Sequence, residues 1–171
     1  MTLDPDKLLR AIKTDLATFA ASNKAVVFAC QDEYSALMQL ASAPQGFIIV
    51  INDDGDTNAS EIDELYMVTA KVRVSVGFNP GLHMDKGDPV LLPEAGTNRP
   101  SLLAMIALVR TRMLEQTINT GDPLSAESVW RYTGRAPTRL PGNVPLRAYS
   151  MTFELNTTLA ATTLRELTPT T

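Results

Sequence analysis

The sequence predicts an α+β domain in which an antiparallel or mixed β-sheet has its helices packed on one face. Three observations predict this class. Residues 65–78 alternate apolar and polar side chains, which is the period of a half-buried strand. Residues 5–21 and 101–118 instead repeat apolar side chains at helical spacing. Two segments near 128–134 and 146–158 have strand patterns and can pair as a hairpin.

The first third of the chain predicts two helices and two strands. Asp4-Pro5 is a favourable helix start, because an aspartate can accept hydrogen bonds from free N–H groups and proline needs no partner at the first helical position. A short buried strand is expected over 26–30. Asp32 then caps a second helix, which ends at Pro44-Gln45-Gly46. The segment GFIIVIN, 46–52, is apolar on both faces, as is typical of a covered central strand.

A polar turn leads to the long strand over 65–78, whose two sides differ in chemistry. Its apolar side is expected to cover the helices. Its polar side includes Lys71 and Arg73 and is expected to face water, a channel or another subunit. These two residues, together with His83 in the following loop, are the predicted lumen-facing or partner-facing residues.

Residues 79–100 are rich in proline and glycine and have no stable periodicity, which predicts a long inserted loop. Loops of this length are uncommon inside compact domains and are usually functional or disordered. The loop contains a short apolar group that water would solvate poorly. We therefore predict that its members contact another subunit: Val90, Leu91 and Leu92.

The helix over 101–118 is predicted to begin at a Ser101 cap. Its main apolar face is the one that includes Ile106 and Val109. Met105 and Leu108 are expected on the opposite side, which makes the apolar surface wider than one core requires. A second buried contact is therefore predicted, with Met105 and Leu108 as subunit-interface candidates.

The remaining segments complete one domain. A Pro-rich loop is expected between the two C-terminal strands, and the tail after them is rich in threonine. The predicted organisation is a single domain over 1–157, with the insertion at 79–100 and a C-terminal extension over 158–171.

Most basic residues in the second half of the chain are arginines, whose planar guanidinium suits interfaces and two-point carboxylate pairs better than lysine does. These arginines either form an interface or are scattered over a solvated surface. Arg99 and Arg112 are the two that we add to the predicted subunit interface. The group comprises Arg99, Arg110, Arg112, Arg131, Arg135, Arg139 and Arg147.

Bulk composition limits the classes of function. A net charge of −4 and a pI near 5.0 provide no basic field for gripping phosphates, which argues against sequence-specific nucleic-acid binding. The single cysteine, Cys30, lies in an apolar run, where a buried and inert thiol is expected. The N-terminal residues lack a signal-peptide pattern, and no apolar run reaches the length of a membrane span. We therefore expect a protein that is made in a cytoplasm and has no membrane partner.

No motif predicts catalysis, a cofactor or a metal site. The run NDDGDTNASE resembles a calcium loop, but its first ligand position would be Val50, which has no side-chain oxygen. His83 is the single histidine and would have to act alone or with Asp85 and Asp88. An enzyme would need a pocket that recruits these side chains, and we predict that the protein is not an enzyme.

The order of elements resembles that of the tail terminator, or tail completion, proteins of long-tailed bacteriophages. The similarity lies in the helix LLRAIKTDLATF, the strand FIIVIND, the strand ELYMVTAKVRVSVGF, the helix SLLAMIALVRTRMLEQ and the final strand LRAYSMTFEL. It covers roughly residues 3–157. The insertion at 79–100 and the tail after 157 depart from the family pattern.

This resemblance implies a fold like that of a tail-tube subunit and a hexameric ring that caps the tube and joins it to the head connector. The implied partners are other copies of the chain, the tail tube protein and the connector proteins, with DNA only as passing cargo. The implied location is the tail or neck of the virion. Another neck or minor tail protein, and a monomeric cytoplasmic adaptor or ligand-binding domain, are the alternatives.

Overall fold

The computed structural model describes residues 5–23, 25–42, 46–57, 61–62, 65–79, 100–115, 130–140 and 146–160. Three helices and six strands form this part of the chain. They are α1 (Pro5–Ser22), β1 (Ala25–Ala29), α2 (Glu33–Ser42), β2 (Phe47–Thr57), β3 (Glu61–Ile62), β4 (Leu65–Phe78), α3 (Leu102–Glu115), β5 (Trp130–Pro137) and β6 (Arg147–Ala160). None of these three helices is long and apolar enough to cross a membrane.

The strands form one mixed sheet in the order β1-β2-β4-β6-β5, with the short β3 also paired to β4. β1 and β2 are parallel and are connected through α2, as parallel neighbours require a crossover. All other pairs are antiparallel. β4 pairs with β6 over its full length of 14 residues. The predicted α+β class with a mixed sheet is confirmed, and so is the predicted span of β4.

One face of the sheet, here called the core face, packs against α1 and α3. Strict alternation along the strands puts apolar side chains of β2, β4 and β6 on this face. α1 and α3 contribute apolar side chains at helical spacing to the same cluster. Its fully buried members include Ile12, Leu16, Ile49, Ile51, Val74, Val76, Val109, Met113, Met151 and Phe153.

The other face, here called the opposite face, is covered over part of its area by α2. Leu37 of α2 is fully buried and packs in a second cluster with Ile48 and Val50 of β2 and Ala148 of β6. The sequence prediction placed all helices on one face, and the position of α2 differs from it. The reason is that β2 is apolar on both sides, so both sides must be covered.

Three strands are longer than predicted. β2 continues to Thr57 through a bulge, where Gly55 has a φ of 81° and its N–H donates to the Asp53 carboxylate. The sequence predicted a polar turn here, because Asp and Gly are typical of turns. β5 continues to Pro137, and an edge strand tolerates proline, which has no N–H, at a position where no N–H is needed for pairing. β6 reaches Ala160, beyond the predicted domain boundary at 157, because its threonine-rich end pairs with β4.

Two of the three predicted helix caps, Asp32 and Ser101, are confirmed, and the third, Asp4, lies outside the described residues. The Asp32 carboxylate accepts hydrogen bonds from the N–H and the hydroxyl of Ser35 at the start of α2. The Ser101 hydroxyl accepts a hydrogen bond from the Ala104 N–H at the start of α3, at 3.1 Å. Each cap satisfies N–H groups that have no partner within the helix.

Candidate functional site

The part of the opposite face that α2 does not cover is polar, and it is here called the polar half. Alternation along β4 and β6 places Lys71, Arg73 and Ser75 beside Ser150 and Glu154 on this side. Among the residues that the structure describes, the polar half is covered by no helix or strand.

Glu33 at the start of α2 is the centre of a hydrogen-bonded network on the polar half. Its side chain is only 14% exposed. Its carboxylate accepts a hydrogen bond from the Ser150 hydroxyl at 3.1 Å and lies 3.6 Å from the Arg73 guanidinium. The buried Ser75 hydroxyl donates to Ser150 at 2.8 Å, and the Thr138 hydroxyl also contacts Ser150. The network fixes α2 against β4 and β6.

The basic side chains that β4 contributes to the polar half have carboxylate partners. Arg73 pairs with Asp54 as well as with Glu33. The Lys71 ammonium lies 3.6 Å from the carboxylate of Glu154, its neighbour across the strand pair. These pairs are partly exposed, so each contributes at most about 1 kcal/mol to stability. Their main consequence is that the charges of this surface are compensated locally.

An open groove of about 630 Å³ lies on the polar half. Glu33, Asp54 and Arg73 line one part of it. The other part is formed by β5 and the residues after it, 133–139, with Ser150 and Thr152 of β6. Hydroxyl groups, carboxylates and guanidinium groups are all present, so the groove can hydrogen-bond a polar guest or a polar partner surface.

Arginines cluster around β5: Arg131 and Arg135 lie in this edge strand, Arg139 follows it, Arg110 lies in α3 and Arg147 begins β6. Two of these side chains are held against aromatic rings, with the Arg110 guanidinium 5.6 Å from the centre of the Tyr132 ring and that of Arg135 5.3 Å from the centre of the Tyr149 ring. Within the described residues none of the group forms an ion pair. The group, here called the arginine edge, comprises Arg110, Arg131, Arg135, Arg139 and Arg147.

The structure changes the role of two predicted interface residues. Met105 is fully buried in the core, because it lies within 60° of Leu102 on the helical wheel rather than on the opposite side. It is therefore removed from the candidate interface. Arg112 makes a two-point contact with Asp15 of α1, at 2.9 and 2.5 Å, and so joins α1 to α3 within one chain.

Leu108 is on the solvent side of α3 and 42% exposed, as predicted. Lys71 and Arg73 are on the polar half, also as predicted. The other candidates lie outside the described residues: His83, Val90, Leu91, Leu92 and Arg99.

Sequence reasoning missed the network around Glu33. Glu33 and Ser150 are 117 positions apart, and no pattern in the sequence relates them. They meet because β6 lies beside β4 and α2 crosses the same face. The sequence shows that arginines are frequent in this part of the chain. It does not show that several of them lie near one edge of the sheet.

Cys30 lies at the end of β1 and is partly buried. Its thiol donates to the Asp32 carbonyl at 3.4 Å. Burial raises the pKa of the Cys30 thiol, and the nearby charges of Asp32 and Glu33 raise it further. The thiol is therefore protonated at neutral pH, which makes it a weak nucleophile.

Across the described part of the chain, no three His, Cys, Asp or Glu side chains come together in a way that could hold a metal ion. No protein-family model matches the chain, and no curated protein matches it.

Proposed function

We propose that the protein is a structural subunit of a long-tailed bacteriophage, a tail terminator that forms a ring on the tail tube and joins it to the head connector. The observation that carries this proposal is the unequal covering of the sheet. Two helices cover the core face, whereas part of the opposite face is polar and the charges that β4 places on it are paired. A sheet of this kind suits a subunit whose second face borders a channel or a neighbour.

The charge pattern supports a surface that DNA can pass. Lys71 and Arg73 are the basic residues that β4 contributes to the polar half, and both are paired with carboxylates, whereas Arg135 and Arg139 lie at its β5 border. A surface with compensated charge exerts little net attraction on phosphates, and the chain has a net charge of −4. DNA would pass such a surface without being held by it.

The order of helices and strands also supports the proposal. The helix, the covered strand, the long two-sided strand, the second long helix and the final strand pair all form near where the sequence predicts them, and this order is the one on which the resemblance rests. The partners that follow are further copies of the chain, in a ring of six, with the tail tube protein on one side and connector proteins on the other. The location that follows is the tail or neck of the virion.

Negative-stain electron microscopy of the purified full-length protein, combined with native mass spectrometry, tests this function. We expect closed rings with a central channel and one dominant mass, six times that of the chain. A homogeneous monomer at every concentration would contradict the proposal. Rings of another size would favour a different neck or minor tail protein.

The groove favours a second candidate function, a monomeric adaptor or ligand-binding domain. Its volume of about 630 Å³ is within the range of small-molecule sites. Its polar lining, with Glu33 and Arg73 in direct contact, would suit a ligand that carries both donors and acceptors. A monomeric mass in solution, together with a ligand whose binding is lost in Glu33→Gln, would support this function over the ring.

A further inference from the structure

The two edges of the sheet carry side chains of opposite charge. On one side, β5 is an edge strand and carries Arg131 and Arg135. On the other side, β2 continues past Ile51, where its pairing with β1 ends, and this end of the strand has the sequence NDDGDT. β3, which begins with Glu61, pairs with β4 further along the same side.

Both sides offer backbone groups for pairing. Among the described strands, β5 pairs only with β6, and β2 beyond Ile51 pairs only with β4. Unpaired N–H and C=O groups on an edge are a template for another strand. Each side therefore combines a free strand edge with one sign of charge.

The strand directions are compatible with a contact between copies. β2 and β6 point one way, and β4 and β5 point the other way, because each neighbouring pair in this group is antiparallel. If two copies are placed side by side in the same orientation, β5 of one meets β2 of the next in antiparallel fashion. Such a contact joins two different patches and can be repeated around a ring.

We infer that the arginine edge of one copy docks on the acidic end of β2 and the start of β3 in a second copy of this chain, and that this contact is the seam of the proposed ring. The inference rests on the proposed ring function. The arginines supply charge-assisted hydrogen bonds to the carboxylates of the neighbour, and the two strand edges pair between them.

Charged edge strands also occur in monomers, where they prevent unwanted pairing. Protection of that kind requires a charge of either sign on each edge. It does not require opposite signs on the two sides of one sheet, nor arginines held in place by Tyr132 and Tyr149. Opposite signs are what a repeated contact between identical copies requires.

A charge-swap experiment on the full-length protein tests the seam. The first variant, R131E/R135E, makes the β5 edge acidic. The second variant, D56R/E61R, makes the other side basic and retains Asp53 and Asp54, which hold the bulge and Arg73. We expect each variant alone to self-associate at least about tenfold more weakly than the wild type, because like charges then face each other across the seam.

The equimolar mixture gives the decisive result. In a mixed assembly each acidic β5 edge meets a basic neighbour and each arginine edge meets an acidic neighbour, so we expect association to return to about the wild-type level. Sedimentation velocity at low ionic strength measures it. Near-ultraviolet circular dichroism verifies that each variant is folded, and R10E/K13E on α1 is the control with the same change in net charge as R131E/R135E.

The outcomes separate the seam from the ring itself. Normal rings from both variants alone would overturn the seam and leave the ring function standing. A wild type and a mixture that both remain monomeric would overturn the two together. Loss of binding to a short DNA duplex in R131E/R135E, with assembly unchanged, would assign the arginine edge to nucleic acid and also overturn the seam.

Discussion

The two faces of the sheet are built from alternate residues of the same strands, but they differ in how they are covered. On the core face, Val72, Val74 and Phe153 are fully buried under α1 and α3. On the opposite face, their strand neighbours Arg73 and Thr152 line an open groove, and only the end under α2 is apolar. The comparison shows that one set of strands can supply both the stability of the fold and a surface for partners.

The boundary between the covered and open parts of the opposite face lies within β2 and β4. Ile48 and Val50 are under α2, whereas two positions further along β2 the side chain is Asn52. In β4 the corresponding change runs from Gly77 to Ser75 and Arg73. The opposite face therefore changes from apolar to polar within a few residues of each of these two strands.

Removal of a large side chain from the core face should have the largest effect on stability. Phe153 is fully buried and its ring contacts Tyr132, so Phe153→Ala should lower the free energy of unfolding by about 3–5 kcal/mol. Thr152→Ala on the groove should change it by less than about 0.5 kcal/mol. Urea unfolding of both variants measures the difference. Similar losses in the two variants would contradict the assignment of the faces.

The covered and the open parts of the opposite face can be compared through the effect of an added side chain on stability at two glycines. A Cβ atom at Gly77 would lie 2.7 Å from Leu37 Cδ2 and 2.9 Å from Ile48 Cγ2, whereas one at Gly134 would have nothing within 4 Å. Gly77→Ala should therefore destabilise the protein by about 1–3 kcal/mol. Gly134→Ala should leave stability unchanged or raise it by up to about 1 kcal/mol. Thermal unfolding distinguishes them, and a neutral Gly77→Ala would show that α2 does not pack as closely as described.

The smallest effect concerns the cap of α2. Hydrogen bonds from the Ser35 hydroxyl and then from its N–H lower the pKa of the Asp32 carboxyl. Because this pKa lies below its unfolded value of about 3.9, the stabilisation is complete above that pH and is lost as the pH falls through the folded-state pKa.

Asp32→Asn retains a capping side chain but cannot ionise, so it isolates this contribution. The wild type should melt at a higher temperature than the variant at pH 7, and the gap should narrow below about pH 4. Melting curves at pH 7, 5 and 3 measure the gap. A gap that does not change with pH would show that the charge of Asp32 has no role in the cap.

Much of the fold could be predicted from the sequence. The strict alternation of β4 gave its span and its two faces, and Asp32 and Ser101 marked two helix starts correctly. The two-sided apolar pattern of β2 already contained the signal for α2, since a strand covered on both sides requires an element on each. The sequence prediction nevertheless placed all helices on one face of the sheet.

The site could be predicted only in part. The sequence placed Lys71 and Arg73 on the polar side of β4, but not their partners, because the contacts of Arg73 with Glu33 and Asp54 depend on how distant segments pack. Met105 was misplaced by reading spacing along α3 without its angle around the helix. The bulge in β2 was missed because Asp and Gly favour turns as well as bulges.

The central claim, that copies of this chain assemble through their own surfaces, is tested most directly by the mass of three full-length proteins in solution: the wild type, Leu108→Asp and Tyr34→Asp. Leu108 on α3 is 42% exposed and Tyr34 on α2 is 40% exposed, so the two substitutions are matched in exposure. We expect a single closed oligomer for the wild type and for Tyr34→Asp, and a folded monomer for Leu108→Asp. A monomeric wild type would contradict the account, and a Leu108→Asp oligomer of unchanged mass would remove Leu108 from the subunit interface.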